Sequence, residues 1–297
     1  MPRTRHHWSV KYTHIWFLAP AVLALLIIGL YPMLVAVFNS FRHYNLAKPQ
    51  EGTGFVGLDN YITVLNDSSF LGALGRTFGF LLYVLPLEVL LGLFVALMLH
   101  KPGLSMLRVV TRLGLVIPLA TTYAVVGLIG RLLFNNDFGV INDLMSRIGL
   151  PSVQWLADPT FAFIAIGLMD IWQWTPFCAL VLLAGLSMVP MEIEEAARLE
   201  TRNPLKILTH VQLPYLLPGV TAILILRTAD ILKLFDMVFV MTRGGPGAAT
   251  ELVSIYIQRI GFRVFDQGVA SAQAILLLIV TILLSRLYIK MVYREVA

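Results

Sequence analysis

The sequence predicts an all-α integral membrane protein with about six transmembrane helices. Three observations carry that prediction: a composition too apolar for a water-soluble core, six apolar runs long enough to cross a bilayer, and basic residues gathered on alternate connections. Of 297 residues, 58% are hydrophobic and 13% are charged, and the mean hydropathy is +0.81. Soluble domains carry roughly 25% charged residues. A soluble interior could not hide this much apolar surface, so hydrocarbon is the expected solvent. The net charge of +5 reads as basic loops on one membrane face, and no nucleic-acid partner is expected. The single cysteine, Cys178, lies in an apolar run and excludes an internal disulfide and a cysteine-based zinc site.

The six runs cover residues 15–38, 77–99, 109–134, 161–188, 215–236 and 270–289. A crossing needs roughly 20 apolar residues. The first run follows Arg3, Arg5 and Lys11. A cleaved signal peptide would have a shorter apolar core and a small-residue cleavage site, so this run is expected to stay as the first helix. Connections at about 39–76, 135–160 and 237–269 are too short for a soluble domain, and no internal repeat is visible. Residues 1–297 therefore read as one transmembrane domain.

Orientation follows from the basic residues. The N-terminus, Lys101 and Arg108, the insert residues Arg198, Arg202 and Lys206, and the C-terminal Lys290 and Arg294 alternate onto one side. Arg42, Lys48, Arg147, Arg243, Arg259 and Arg263 are spread over longer segments of the other. The denser set is expected in the cytoplasm, and an even number of crossings then puts both termini there.

One connection is unlike the others. EEAARLETRNPLKILTHVQLP, from Glu194, is charged and helix-forming between two apolar runs. Residues 193–200 are strong helix formers. Asn203-Pro204 interrupts them, and Pro204 is placed to start a second short helix, where its missing N–H is not needed. Leu205, Leu208 and Val211 continue an apolar stripe at helical spacing, and Leu213-Pro214 leads into the next span. Periodicity alone fits either a solvated helical loop or a docking element for a partner.

The residues EEAARLE…LP resemble the EAA loop of permeases in binding-protein-dependent ABC importers. That pattern is Glu-Ala-Ala, a Gly after three more residues, and Leu-Pro about a dozen residues beyond. Glu195, Ala196, Ala197, Leu213 and Pro214 match it, with Arg198 inside the motif. Thr201 replaces the glycine, a departure that bears on the tight turn a glycine would allow, and Glu200 stands where aspartate is common. FVGLDNY (55–61), FGVIN (138–142) and MTRGGPGAATE (241–251) resemble further segments of sugar permeases. The last is similar to the Gly-Gly-Pro-Gly loop of the maltose- and glycerol-phosphate-type first permease subunit. The resemblance covers nearly the whole chain, with its motifs in the family's order.

The resemblance implies the type I ABC importer permease fold in a bacterial or archaeal inner membrane. It makes the loop at about 189–213 the coupling helix that seats in a cytoplasmic ATPase. It implies a second, related permease (a heterodimer, given the GGPG loop), two ATPase subunits and a periplasmic or lipid-anchored solute-binding protein. Gly244, Gly245, Pro246 and Gly247 would contact that binding protein. No G-x-x-x-x-G-K-[ST] loop occurs in the chain, so ATP and magnesium are expected on the partner ATPases and no cofactor on this chain. The chain itself would perform no chemistry.

Polar groups at membrane depth default to a functional hypothesis. Asp170, Gln173 and Trp174 lie in MDIWQWTPF, and Arg227, Asp230 and Lys233 in LRTADILKLF. Arg227 with Asp230, and Asp230 with Lys233, can each meet on one helix face. Either they form a self-neutralised structural cluster, or they recognise sugar hydroxyls. By position relative to the EAA glutamate, the resemblance implies that Asp170, Gln173, Trp174, Phe177, Arg227, Asp230, Ile231 and Leu234 line the cavity, with Tyr123 a further candidate. Trp172, about 100° from Gln173 on the helix and about 200° from Trp174, is expected to face elsewhere. Glu88 and Arg131 read as helix-packing polars. His6, His7, His14, His43, His100 and His210 show no ligand spacing, so no metal is expected. An ion-driven secondary carrier would also explain the intramembrane charges. It would not explain the EAA-like insert, and it predicts an inverted repeat. Mono-, di- and oligosaccharides, polyols and glycerol phosphate all stay open as substrates.

Overall fold

The computed structural model describes residues 7–100 and 105–295. Arg3, Arg5, His6 and Lys101 lie outside these, as do the side chains of His7, Lys11, His14, Arg108 and Arg294. Among the described residues the regular structure is helical, with two isolated antiparallel bridges, Arg42 with Phe55 and Asn45 with Asp266.

The helices are α1 (His7–Leu25), α2 (Tyr31–Ser40), α3 (Asp59–Asn66), α4 (Ser68–His100), α5 (Ser105–Ala120), α6 (Tyr123–Leu133), α7 (Val140–Arg147), α8 (Pro159–Leu186), α9 (Met191–Glu200), α10 (Pro204–Ile207), α11 (Leu213–Leu232), α12 (Asp236–Met241), α13 (Val253–Phe262) and α14 (Gln267–Glu295). Five stretches are long and apolar enough to span: Trp16–Ser40, Ser68–His100, Pro159–Leu186, Pro204–Leu232 and Gln267–Met291. A sixth is a bent pair, Leu113–Ala120 with Tyr123–Leu133, turning through 98°.

That bend corrects the single straight crossing expected at 109–134. Pro118 offers no N–H and its ring crowds the preceding turn. Thr122 is then extended, at φ −72° and ψ 150°, and α6 starts afresh. The insert runs on into the next span: α10 passes through a wider π turn, Leu208–Gln212, straight into α11. Pro214 cannot donate to the preceding turn, and the wider turn accommodates the missing bond. The connections expected at 39–76 and 237–269 also hold helices, α3 with the first turns of α4, and α12 with α13.

The chain divides into two compact units. One comprises the residues up to Asp67 with Ile257–Leu276. Here Asn60 of the FVGLDNY segment donates to the carbonyls of Ser40 (2.9 Å) and Arg42 (2.8 Å), and Tyr61 shares a hydrogen bond with Ser40 at 2.7 Å. The two Asn60 bonds take up carbonyls at and just beyond the end of α2. Leu46 N–H bonds Phe265 O at 2.9 Å and Gly268 N–H bonds Tyr44 O at 3.0 Å.

The other unit holds Ser68–Tyr256 and the residues from Leu277 on. Its most extensive helix pair is α4 with α8, and α11 packs on both. Asp158 caps α8, accepting from Thr160 N–H (2.8 Å) and Phe161 N–H (3.0 Å), with Pro159 at the first helical position. The helices approach closely where Gly92 faces Cys178 and Ala179. A Cβ on Gly92 would lie 2.5 Å from Cys178 Cβ and 2.9 Å from Ala179 N. Small residues at such crossings are how membrane helices gain dispersion contact. Phe80, Val84, Ile166, Leu182, Ile223 and Ile231 fill the interior around the crossing.

Candidate functional site

The charged insert folds as helix, break, helix. Glu192 and Glu194 sit in the first turn of α9 and Arg198 in its last, each at the end where the helix dipole favours its charge. Thr201 ends α9 in an extended conformation, φ −142° and ψ 139°, which any residue adopts. No glycine is required at the position where the sequence pattern has one. Thr201 Oγ1 accepts from Asn203 N–H at 3.2 Å, and Asn203 caps α10 through Leu205 N–H at 3.0 Å. Glu195, Ala196, Arg198, Leu213 and Pro214 are exposed, while Ala197 and Thr201 are half-buried. The insert also bares Leu199, 91% exposed, with Met188 and Met191 at 71% each. Sequence reasoning did not single out Leu199, although an isolated leucine among charged neighbours is a signal for it.

Glu194 points the other way, its side chain 12% exposed. Burial works upward on its carboxyl, but hydrogen bonds from Arg198 (2.7 Å) and His100 (3.2 Å) outweigh it and hold the group below the ordinary carboxylate range.

The GGPG loop is compact and tied. Thr250 Oγ1 bonds Gly245 O and Thr242 Oγ1, each at 2.6 Å, and Thr250 N–H bonds Gly244 O at 3.2 Å. Gly244 (φ 89°) and Gly247 (φ 54°) occupy the left-handed region that glycine permits. Arg76 braces the loop, its Nε donating to Glu251 O at 3.1 Å. Gly244 is buried, Gly245 and Pro246 half-buried, and Gly247 exposed. In the same unit Asn142, from FGVIN, brackets its own connection. It donates to Val153 O (3.0 Å) and accepts from Val153 N–H and Trp155 Nε1–H, both at 3.1 Å.

The membrane-depth polar residues converge from α4, α8 and α11, with α6 alongside. Arg227 is fully buried. Its Nε and Nη2 donate to the two oxygens of Glu88 at 2.8 Å each, and Nη2 also donates to Asp170 Oδ2 at 2.6 Å. The Arg227 guanidinium lies 4.5 Å from the centroid of the Trp174 ring, and Nη1 reaches Tyr123 OH at 3.5 Å. The expected pair with Asp230 is the looser contact, 3.9 Å, and Asp230 is held instead by Lys233 at 3.0 Å. Glu88, a packing polar by its sequence context, is thus Arg227's bidentate partner.

The other candidates separate by position. Gln173 Nε2 donates to Thr121 O at 2.8 Å, capping the broken span. Trp174 packs on Tyr123 (5.9 Å between ring centroids) and edge-on to Phe177 (5.8 Å). Ile231 and Leu234 are buried in the hydrophobic interior. Asp170 Oδ1, Gln173 Oε1, Trp174 Nε1 and Thr175 Oγ1 are buried without a hydrogen-bond partner among the described residues. Trp172 is 43% exposed, turned from Trp174 as the helical wheel implies. The described residues hold no cluster of three metal-ligating side chains.

The model of the family described as "binding-protein-dependent transport system inner membrane component" matches residues 88–297. The trehalose/maltose transport system permease protein MalF of Thermococcus litoralis is 35% identical over 80% of this chain and 79% of its own. The sulfoquinovosyl glycerol transport system permease protein SmoG of Agrobacterium fabrum is 32% identical over 93% and 88%. Among solved structures, a chain of a bacterial alginate ABC transporter in complex with alginate pentasaccharide-bound periplasmic protein superposes with a TM-score of 0.81, at 20% identity over 98% of both chains. That match shows the fold alone, over nearly the whole chain. The chain belongs to the binding-protein-dependent transport system inner membrane components: it is a multi-pass inner-membrane permease subunit of an ABC importer, which works with a solute-binding protein and an ATPase.

Proposed function

We propose that the chain carries a neutral carbohydrate, paired as a heterodimer with a second permease and driven by two ATPase subunits that bind ATP and magnesium. The observation that carries this reading is α9, which bares Glu195, Ala196 and Leu199 on one surface while Glu194 anchors its other side. Small alanines admit close approach, and Glu195 can make a charge-assisted bond to a basic group in a socket. The insert and both termini face the cytoplasm, and Gly244–Gly247 face the binding protein on the other side.

The substrate class follows from chemistry at membrane depth. Trp174, Phe177 and Tyr123 offer flat apolar faces to a sugar ring. Unpartnered atoms on Asp170, Gln173, Trp174 and Thr175 suit hydroxyl groups. Both cations of the cluster are already paired, Arg227 with Glu88 and Asp170 and Lys233 with Asp230, so no cation of this cluster is left for a phosphate or carboxylate. Neutral disaccharides and polyols fit better than glycerol phosphate. The relative named for trehalose and maltose, both neutral disaccharides, supports the same class.

The test is co-purification. Glu195→Lys should release the ATPase subunits from a permease pair that still assembles, and ATP-driven uptake in proteoliposomes with the cognate binding protein should be lost. Wild-type recovery of ATPase with wild-type uptake would defeat the reading.

A further inference from the structure

We propose that Glu194, the residue beside the exposed Glu195, is the strut that carries movement of α9 into the membrane helices. It is a positioning residue, acting through α9 on spans it does not itself belong to, and the proposal rests on the reading of α9 as the coupling helix.

Three elements meet on one carboxylate. Oε1 accepts from Arg198 Nη2 at 2.7 Å, within α9, and from Gln212 Nε2 at 3.4 Å. Oε2 pairs with His100 Nε2 at 3.2 Å. His100 is the last residue of α4, and Gln212 is the last residue of the π turn that leads into α11. Gln212 is itself 6% exposed, so this end of the link is anchored in the fold. One side chain therefore joins α9 to two spans that also meet at Arg227 and Glu88 deeper in the membrane.

The packing around this link is open. A cavity of about 570 Å³ lies on one side, walled by Phe94, Met98, Leu205 and Leu208. A second of about 390 Å³ lies on the other, walled by Leu186, Val189 and Met191. Glu194, His100 and Arg198 line both. They form the partition between two spaces where apolar side chains would otherwise hold α9 against the bundle. With dispersion contact thin there, the polar link is the stiff element. Glu195 lies about 100° further round the helix, so one face of α9 can engage a partner while the adjacent face pulls on α4 and α11.

The experiment uses the full complex in proteoliposomes with its binding protein, comparing wild type with Glu194→Ala, Glu194→Asp, Gln212→Leu and the Glu194→Ala/Gln212→Leu double variant. Readouts are ATPase co-purification, ATP hydrolysis with and without sugar-loaded binding protein, and sugar transported per ATP. Glu194→Ala should keep its ATPase subunits and lose about tenfold in stimulation by loaded binding protein, the scale of one charge-assisted hydrogen bond. Sugar moved per ATP should fall with it. Glu194→Asp should recover part of both, and the double variant should be no worse than Glu194→Ala. Wild-type stimulation in Glu194→Ala overturns the proposal. So does loss of ATPase subunits from Glu194→Ala and Glu194→Asp alike, which would make Glu194 a docking or folding residue. Additive losses in the double variant overturn it too. The coupling-helix reading fails separately: Glu195→Lys would then keep its ATPase subunits, whatever Glu194 does.

Discussion

Replacing Arg227 by methionine tests what the membrane-depth cluster is for. The substitution keeps length and removes charge. Three charge-assisted bonds go with it, at 2.8, 2.8 and 2.6 Å. It also removes the stack on Trp174. Glu88 and Asp170 remain, both with fully buried side chains and neither with another cation within 4.0 Å among the described residues. Removing one member of a buried ion pair costs about 3–5 kcal/mol, because the other is left without compensation. At roughly 2–4 °C per kcal/mol for chains of comparable size, the apparent melting temperature of the purified complex should fall by about ten degrees. The triple variant Glu88→Met, Asp170→Leu, Arg227→Met should recover most of that loss, since buried ion networks replaced by apolar side chains of similar volume are often neutral or better. Heated samples resolved by size exclusion measure both. A single variant that melts with the wild type would refute the structural account of the cluster. Uptake by the stable triple variant then separates roles: transport retained means scaffold alone, transport lost means the charges also serve the cycle.

Other parts of the molecule carry three more predictions. Gly92→Val should destabilise the α4–α8 crossing by about 1–3 kcal/mol through overpacking against Cys178 and Ala179, read as a lower melting temperature; unchanged melting would mean the helices can part at no cost. Trp174→Ala should lower sugar uptake while the complex assembles in normal yield, and undiminished uptake would remove this ring from the substrate path. In a Cys178→Ala background, an impermeant thiol reagent on spheroplasts should label Cys at exposed Ala248 and spare Cys at exposed Thr209; the reverse pattern would invert the orientation.

Much of the fold was legible because its cause is local. Apolar run length reports a crossing wherever it occurs, and five of the six expected runs became unbroken spanning helices. The sixth shows the limit. Residues 113–133 stay apolar through the 98° bend, so hydropathy sees no interruption, and Pro118 was the one residue that announced it. One of the bonds that make the bend tolerable comes from elsewhere, from Gln173 across 52 positions. The same distance in sequence hid Glu88. Spacing on one helix correctly placed Asp230 within reach of both Arg227 and Lys233, because three residues is nearly a full turn. It could not show that α4 brings a carboxylate from 139 positions away into better geometry. A physical constraint could have found it, however. A lone carboxylate inside a span needs a cation, and Glu88, Asp170 and Arg227 are a set whose members each lack a full partner without the others. Thr201 gives the converse lesson. A motif glycine suggests a left-handed turn, yet the chain here passes through an extended residue at φ −142°. The Asn203 cap and Pro204, which opens α10, set the geometry of this loop, so the insert keeps its shape without the residue by which its pattern is usually read.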